Sequence, residues 1–354
     1  AALASASLAV CGVFIYTSVQ PLSDTLATFW CTAAVWAALR SRSRGRVWAA
    51  GSGWAFSVAL LVRPTDALLL PALIIFLGQR KNWLAAAVAG IPLAAILALD
   101  NYLLYGSPLR SGYGKLSDLF SVAYFWPSVS HFSVWLVRVL PLGLFALPAV
   151  VILAGKKPRW LVAGLVVWAA AFGFCYSFYS FSPQDWSFFR FVEPAFPALL
   201  ALACLGLQTL VDRLPEPARA RRAGLIAAGA LGLATLTNLS FHVPDARKHD
   251  RKYVEAAAWV QKNAPPSAIL LSQLFSGTLY FRTAHTILRW EMPSARDEAG
   301  YLATLNKTGR PVYAVLDATE VTDFLLKNTA SGKWEQMTGL GEASIWRLTP
   351  DGSR

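Results

Sequence analysis

Charge is what this sequence has least of. Charged residues fill 15% of its 354 positions, where an ordinary soluble domain carries about 25%. Hydrophobic residues fill 55%, which puts the chain outside the soluble class and among membrane proteins. Cysteine is scarce as well. Cys11, Cys31, Cys175 and Cys204 all sit in apolar runs, so they read as small packing residues and exclude a disulfide framework or a Cys/His zinc spacing. His131, His242, His249 and His285 are scattered, without ligand spacing. The sequence has no Gly-x-Ser-x-Gly phrase, which removes the nucleophile-elbow hydrolases. It has no glycine-rich phosphate loop either; Ser276-Gly277-Thr278 reads as a lone turn. No internal repeat or low-complexity stretch occurs.

What the chain does have is long apolar runs. They fall at about 1–16, 24–39, 47–62, 65–78, 83–104, 132–154, 160–180, 191–211 and 223–241. A helix needs roughly 20 residues to cross a bilayer, so these runs predict about nine crossings. The runs 47–62 and 65–78 are short and fit a re-entrant pair equally well. The first run begins at Ala1 with no initiator Met and no basic leader, which leads us to expect a chain cut within a transmembrane helix.

Basic residues orient the runs. Of the 18 Lys/Arg before residue 241, 13 lie in alternate loops: Arg40–Arg46, Arg80-Lys81, Lys156–Arg159 and Arg213–Arg222. The positive-inside rule assigns those loops to the cytoplasm. Residues 17–23, 63–64, 105–131, 181–190 and everything after 241 then lie outside. The net charge of +12 reports topology, and nucleic acid is not an expected partner.

The sequence divides into a transmembrane region, 1–241, and a polar tail, 242–354. In the tail, Tyr253–Asn263, Asp297–Leu305 and Thr319–Leu326 read as helices. Ala268–Ser272, Thr286–Trp290, Pro311–Leu316, Trp334–Met337 and Ala343–Leu348 read as strands. Strands interleaved with helices predict a small α/β layer domain. The expected fold class is therefore a polytopic α-helical membrane protein with a small C-terminal α/β extracytoplasmic domain.

Charges in the membrane part that fall toward the outer side mark candidate chemistry, because an intramembrane charge is costly unless it faces a cavity. They are Arg63, Arg110, Lys115, Arg138 and Arg190, with Asp24, Asp66, Asp100, Asp118, Asp185 and Glu193. Tyr105, Tyr113, Tyr124, Trp126, Tyr176, Tyr179 and Trp186 accompany them. Together they suggest a polar cleft open to the outer interface.

Four phrases from that side are SVQPLSDTLATFW, LLVRPTDALLLPAL, NYLLYGSPLRSGYG and FFRFVEPAFPALLAL. They resemble the polyprenyl-phosphate-sugar-dependent glycosyltransferases of the GT-C class. More narrowly, they resemble bacterial relatives of protein mannosyltransferases and of the aminoarabinose transferase that modifies lipid A. The tail phrases YVEAAAWVQKNAPPSAILLSQ and GTLYFRTAHTILRW are similar to the extracytoplasmic tail of members of that group.

The resemblance implies an inverting membrane glycosyltransferase of the inner (plasma) membrane. Its donor is a polyprenyl-phosphate-linked sugar; its acceptor is a glycan, lipid or protein; its surroundings are membrane lipids. The acidic base of such enzymes lies in an outer loop before the first run of this chain, so the resemblance places the catalytic residue upstream of Ala1. It implies donor-phosphate binding by Arg190, with Arg63 and Arg110 beside it, since a guanidinium holds two phosphate oxygens at once. It implies substrate contacts from Tyr113 and Glu193, and a divalent cation at Asp24.

Structural readings stand beside these. Asp24 and Ser23 suit a helix cap, as do Thr65 and Asp66 after Pro64. Arg190 suits snorkelling to headgroups, Glu193 an ion pair with Arg190, and Arg138 one with Asp100. Two other classes remain open: a transporter or lipid flippase, for which midplane charge and repeated helices are missing, and a non-catalytic scaffold of the same fold.

Overall fold

The computed structural model describes residues 2–20, 22–109, 119–215, 218–240, 246–291, 304–305, 307–328 and 332–349. The chain forms two compact units, Ala1–Val243 and Pro244–Arg354.

The first unit is helical. Its elements are α1 (Ala2–Ala9), α2 (Gly12–Val19), α3 (Asp24–Arg44), α4 (Arg46–Val62), α5 (Leu70–Leu77), α6 (Arg80–Tyr105), α7 (Phe125–Val139), α8 (Ala146–Leu153), α9 (Arg159–Tyr176), α10 (Phe196–Val211) and α11 (Ala218–Ser240). Three 3₁₀ segments of five residues or more, Pro64–Leu69, Pro141–Phe145 and Trp186–Ala195, lead into α5, α8 and α10.

Among the described residues, four helical stretches are long and apolar enough to cross a membrane, or six if each bent pair is one span. Two of the nine expected runs are interrupted. The run 132–154 breaks at Leu140-Pro141 and bends by 116°, and the first run breaks after Ala9 and bends by 63°. Pro141 has no backbone N–H to continue the ladder. The runs at 47–62 and 65–78 form short apolar helices, Arg46–Val62 and Pro64–Leu77.

Between α3 and α4 the chain turns at Gly45, with φ +86°, which a side chain would resist. Arg42 closes a neighbouring corner. Its guanidinium donates to the α5 carbonyls of Ile75 (2.6 Å) and Phe76 (2.7 Å) and sits 3.6 Å from the Trp160 ring centre. A cation at a helix C-terminus satisfies carbonyls that have no partner within the helix.

Helices α4 and α6 pack in parallel through small residues. A Cβ on Gly53 would lie 1.9 Å from the Ala86 carbonyl oxygen, and one on Gly90 would lie 2.6 Å from Ser57 Oγ. Small residues four apart let membrane helices approach until backbones touch. Gly53→Ala is therefore expected to push the pair apart and cost ~2 kcal/mol; Gly51→Ala, facing open space on the same helix, serves as the control in a denaturant titration.

The second unit is a five-stranded sheet of order β2-β1-β3-β5-β4. Its strands are β1 (Ile269–Leu271), β2 (Thr286–Leu288), β3 (Val312–Asp317), β4 (Lys333–Leu340) and β5 (Ala343–Thr349). β1 pairs in parallel with β2 and β3, while β5 runs antiparallel to both β3 and β4. All six residues of β3 are buried, and their side chains alternate between two cores. Tyr313 and Val315 pack with Ala256, Val260 and Phe275 on one face. Val312, Ala314 and Leu316 pack with Trp290, Phe324 and Trp334 on the other. Helices α12 (Ala246–Asn263) and α13 (Ser276–Arg282) serve the first face, and α14 (Val321–Asn328) the second.

The five expected strands all form. Ser276-Gly277-Thr278, expected as a lone turn, begins helix α13 instead, with Leu279 fully buried in the core. Most of the expected helix Asp297–Leu305 lies outside the described residues.

A half-buried ion pair pins this unit. Lys252 donates to Asp317 at 2.5 Å and to Glu342 at 2.7 Å, and Thr319 donates to Asp317 from both N–H and hydroxyl. Burial alone would raise the Asp317 carboxyl, but the Lys252 and Thr319 bonds outweigh it and hold the group below the usual carboxylate range. A depressed folded value means that the contribution is complete above the unfolded value of about 4 and is lost as pH falls through the folded one. Asp317→Asn is expected to cost ~2 kcal/mol near neutrality and progressively less below pH ~4. Burial raises Glu320, which works in the opposite direction, so the comparison is between variant and parent. Amide exchange of β3, corrected for intrinsic rate at each pH, measures it.

Candidate functional site

The polar cluster of the first unit forms where α3 begins, α4 ends, α9 ends and the segment Trp186–Ala195 leads into α10. Its centre is Asp24, only 4% exposed. Ser23 occupies the cap position of α3 without a side-chain cap bond, and the Asp24 carboxylate faces two guanidiniums. One oxygen pairs with Arg63; the other lies 3.9 Å from Arg190 Nε. The capping alternative for Asp24 is therefore replaced by an ion-pair role.

Arg63 ends α4 in extended backbone, as its position before Pro64 requires. It donates to Tyr176 Oη at 2.9 Å, and that hydroxyl donates to Thr65 Oγ1 at 2.9 Å. Its guanidinium stands 5.4 Å from the Tyr176 ring centre and 5.5 Å from that of Phe191. Arg190 lies over Phe188 at 5.1 Å and over the same Phe191 at 5.3 Å. Two like charges are thus held around one aromatic ring and one carboxylate. Each cation–π contact contributes about 0.5–1 kcal/mol, and more where water is excluded.

The two arginines differ in what they have left to offer. Arg63 is spent on Asp24 and Tyr176. Arg190 makes no hydrogen bond among the described residues, yet its side chain is only 20% exposed. A guanidinium has five N–H donors, and partly burying them unbonded is unfavourable unless a ligand takes them.

Glu193 is fully buried. Its partners are hydroxyls, Thr17 at 2.8 Å and Thr28 at 3.4 Å, in place of the expected ion pair with Arg190. Thr17 also bonds Thr25 at 2.8 Å, so Glu193 ties α2 and α3 to the segment ahead of α10. Asp66 is also fully buried beside the Cys31 thiol, and neither carboxylate oxygen has an N–H or hydroxyl donor among the described residues. It does not cap the following helix, which starts without a side-chain cap.

Arg138 stacks over Trp135 at 5.1 Å, and among the described residues it forms no ion pair with Asp100. Asp185 caps the Trp186–Ala195 segment through Ser187 N–H at 2.9 Å. Arg110, Tyr113, Lys115 and Asp118 lie outside the described residues. The structure thus brings Asp24, Arg63, Arg190 and Glu193 into one cluster. Sequence reading passed over Thr17, Thr25 and Thr28, and gave Tyr176 no particular role.

A divalent cation at Asp24 would meet positive neighbours. Two guanidiniums already lie within 4.0 Å of its oxygens, and no group of three or more His, Cys, Asp or Glu among the described residues is placed to hold a metal ion. Arg190 is the side chain of the cluster that keeps hydrogen-bond donors unused among the described residues.

No family model and no curated protein matches this sequence. Among solved structures, the chain is similar to ArnT from Cupriavidus metallidurans bound to undecaprenyl phosphate. The TM-score is 0.54 at 13% identity, covering 99% of this chain and 80% of that one. The chain accordingly has a GT-C-like fold, a polytopic α-helical membrane unit with a small C-terminal sheet domain.

Proposed function

We propose that this protein is a membrane glycosyltransferase that moves a sugar from a polyprenyl-phosphate carrier to an acceptor on the non-cytoplasmic face of the plasma membrane. The observation that carries the reading is Arg190, a partly buried guanidinium with unspent donors, set beside Arg63. The similar fold of a protein seen with undecaprenyl phosphate supports the same ligand class. The four basic loops lie at the opposite ends of the helices from this cluster, which supports an outer location for the site.

In this reading Arg190 takes the donor phosphate through its fork, and Arg63 adds a second charge held in place by Tyr176. Asp24 orients both guanidiniums and keeps them together while no phosphate is bound. The acceptor oxygen forms its bond to the anomeric carbon as the carbon–oxygen bond to phosphate breaks. The electron pair leaves on the phosphate oxygen, where the two arginines stabilise it. The acceptor proton goes to a carboxylate base in an outer loop, as the resemblance implies. Glu193, fully buried and bonded to threonines, shapes the site from behind.

Binding tests this first. The purified protein is expected to bind undecaprenyl phosphate at least about tenfold more tightly than undecaprenol, since the two ligands differ by the charge-assisted contacts. Equal affinity would remove the phosphate site. Donor-dependent labelling of an acceptor, absent without the lipid-linked sugar, then separates a transferase from a transporter or a scaffold.

A further inference from the structure

A second amphipathic site lies at the other end of α4, about 24 Å from Arg63 at 1.5 Å per residue. There α4 and α6 begin side by side, because they run parallel. Between them is a groove of about 540 Å³ lined by Arg46, Val47, Ala50, Lys81, Leu84 and Val88. Its floor is apolar and open, with Val47 82%, Leu84 61% and Val88 69% exposed. Its mouth carries two cations, and neither Arg46 nor Lys81 has an ion pair or side-chain hydrogen bond among the described residues.

The surroundings fix the depth of this groove. At the same level, on the side of α4 that faces α3, Trp36 and Trp48 stack edge to face at 4.9 Å, with Arg40 and Arg44 over their rings at 5.7 and 5.9 Å. Trp83, on α6, donates from its indole to the Ile74 carbonyl at 3.0 Å. Tryptophans among arginines mark the headgroup level of a bilayer. An apolar floor running from that level toward the middle of α4 and α6 meets acyl chains, while the mouth meets headgroups.

We propose that this groove binds one anionic phospholipid of the surrounding bilayer, with the headgroup phosphate between Arg46 and Lys81 and an acyl chain along Val47, Leu84 and Val88. Basic pockets between membrane helices recognise acidic headgroups by charge, each Lys or Arg near the surface contributing about fivefold in affinity. Two unpartnered cations therefore give a preference of about 30-fold for an anionic over a zwitterionic lipid of equal chain length. A lipid held here packs along the α4–α6 pair. Through α4 it buttresses the helix that presents Arg63.

Native mass spectrometry of the full chain, titrated with dioleoyl phosphatidylglycerol against dioleoyl phosphatidylcholine, is the test. We expect one phosphatidylglycerol to be retained with about 30-fold preference and the preference to fall near parity in Arg46→Gln/Lys81→Gln. Both side chains are exposed and unpartnered, so that variant keeps its fold. Ala50→Phe, which fills the groove and leaves both charges, is expected to abolish retention of either lipid there. Arg190→Gln, at the distant cluster, is expected to leave the preference unchanged. Equal retention of the two lipids by the parent protein would overturn the proposal, as would a preference that survives loss of Arg46 and Lys81. A preference lost only with Arg190 would put the bound lipid in the other site.

Discussion

Arg63→Ala is expected to destabilise the membrane unit by about 3–5 kcal/mol and to weaken undecaprenyl phosphate binding by about 100-fold or more. The stability loss follows from burial. Removing Arg63 leaves the Asp24 carboxylate 4% exposed with Arg190 only at 3.9 Å, and it takes a donor from Tyr176. A buried charge stripped of its partner is far worse than no charge at all. That contrast separates architecture from function. Replacing both partners with apolar residues, Asp24→Leu with Arg63→Met, is expected to restore most of the lost stability while leaving phosphate binding weak. Denaturant unfolding and lipid binding measured on the same variants decide between the roles. If the double variant binds undecaprenyl phosphate like the parent protein, Arg63 is an ion-pair partner and nothing more.

Asp24, Arg63, Arg190 and Glu193 were legible in the sequence because a charge in an apolar run needs a reason. Their mutual arrangement was not. Arg63 and Tyr176 stand 113 positions apart, and Thr17 and Glu193 176 apart. Only packing shows that a hydroxyl serves a given acid. Thr28 carried one available signal, since it lies one turn after Asp24 on the same helix face. The same limit explains the Arg190–Glu193 pair that does not form. Three positions apart suggests a shared face, all the more in a 3₁₀ segment, but Glu193 is taken up by the hydroxyls of Thr17 and Thr28 while Arg190 faces Asp24. Breaks in the helices were partly legible. Pro141 signals an interruption, whereas a bend of 116° there depends on what α7 and α8 pack against. In the tail, buried strands announced themselves as β-branched and aromatic runs. The short helix Ser276–Arg282 lacked such a pattern and is held by Leu279 in the core.

Arg190→Ala is expected to reduce undecaprenyl phosphate affinity by about 10- to 150-fold while changing stability little. Arg190 makes no hydrogen bond among the described residues, so its removal orphans no partner. What is lost is its place over Phe188 and Phe191 and a distant attraction to Asp24. The affinity loss corresponds to the charge-assisted bonds that its fork would make to phosphate. Arg190→Lys keeps the charge but not the fork, and is expected to recover only part of the loss. The opposing account is a side chain reaching to headgroups, indifferent to which anionic lipid it meets. It expects Arg190→Ala to weaken phosphatidylglycerol and undecaprenyl phosphate by the same factor, with lysine a full substitute. A loss confined to the polyprenyl ligand, and only partly restored by lysine, requires a shaped phosphate site. Phe188 and Phe191 would then be the surfaces that hold the guanidinium plane toward it.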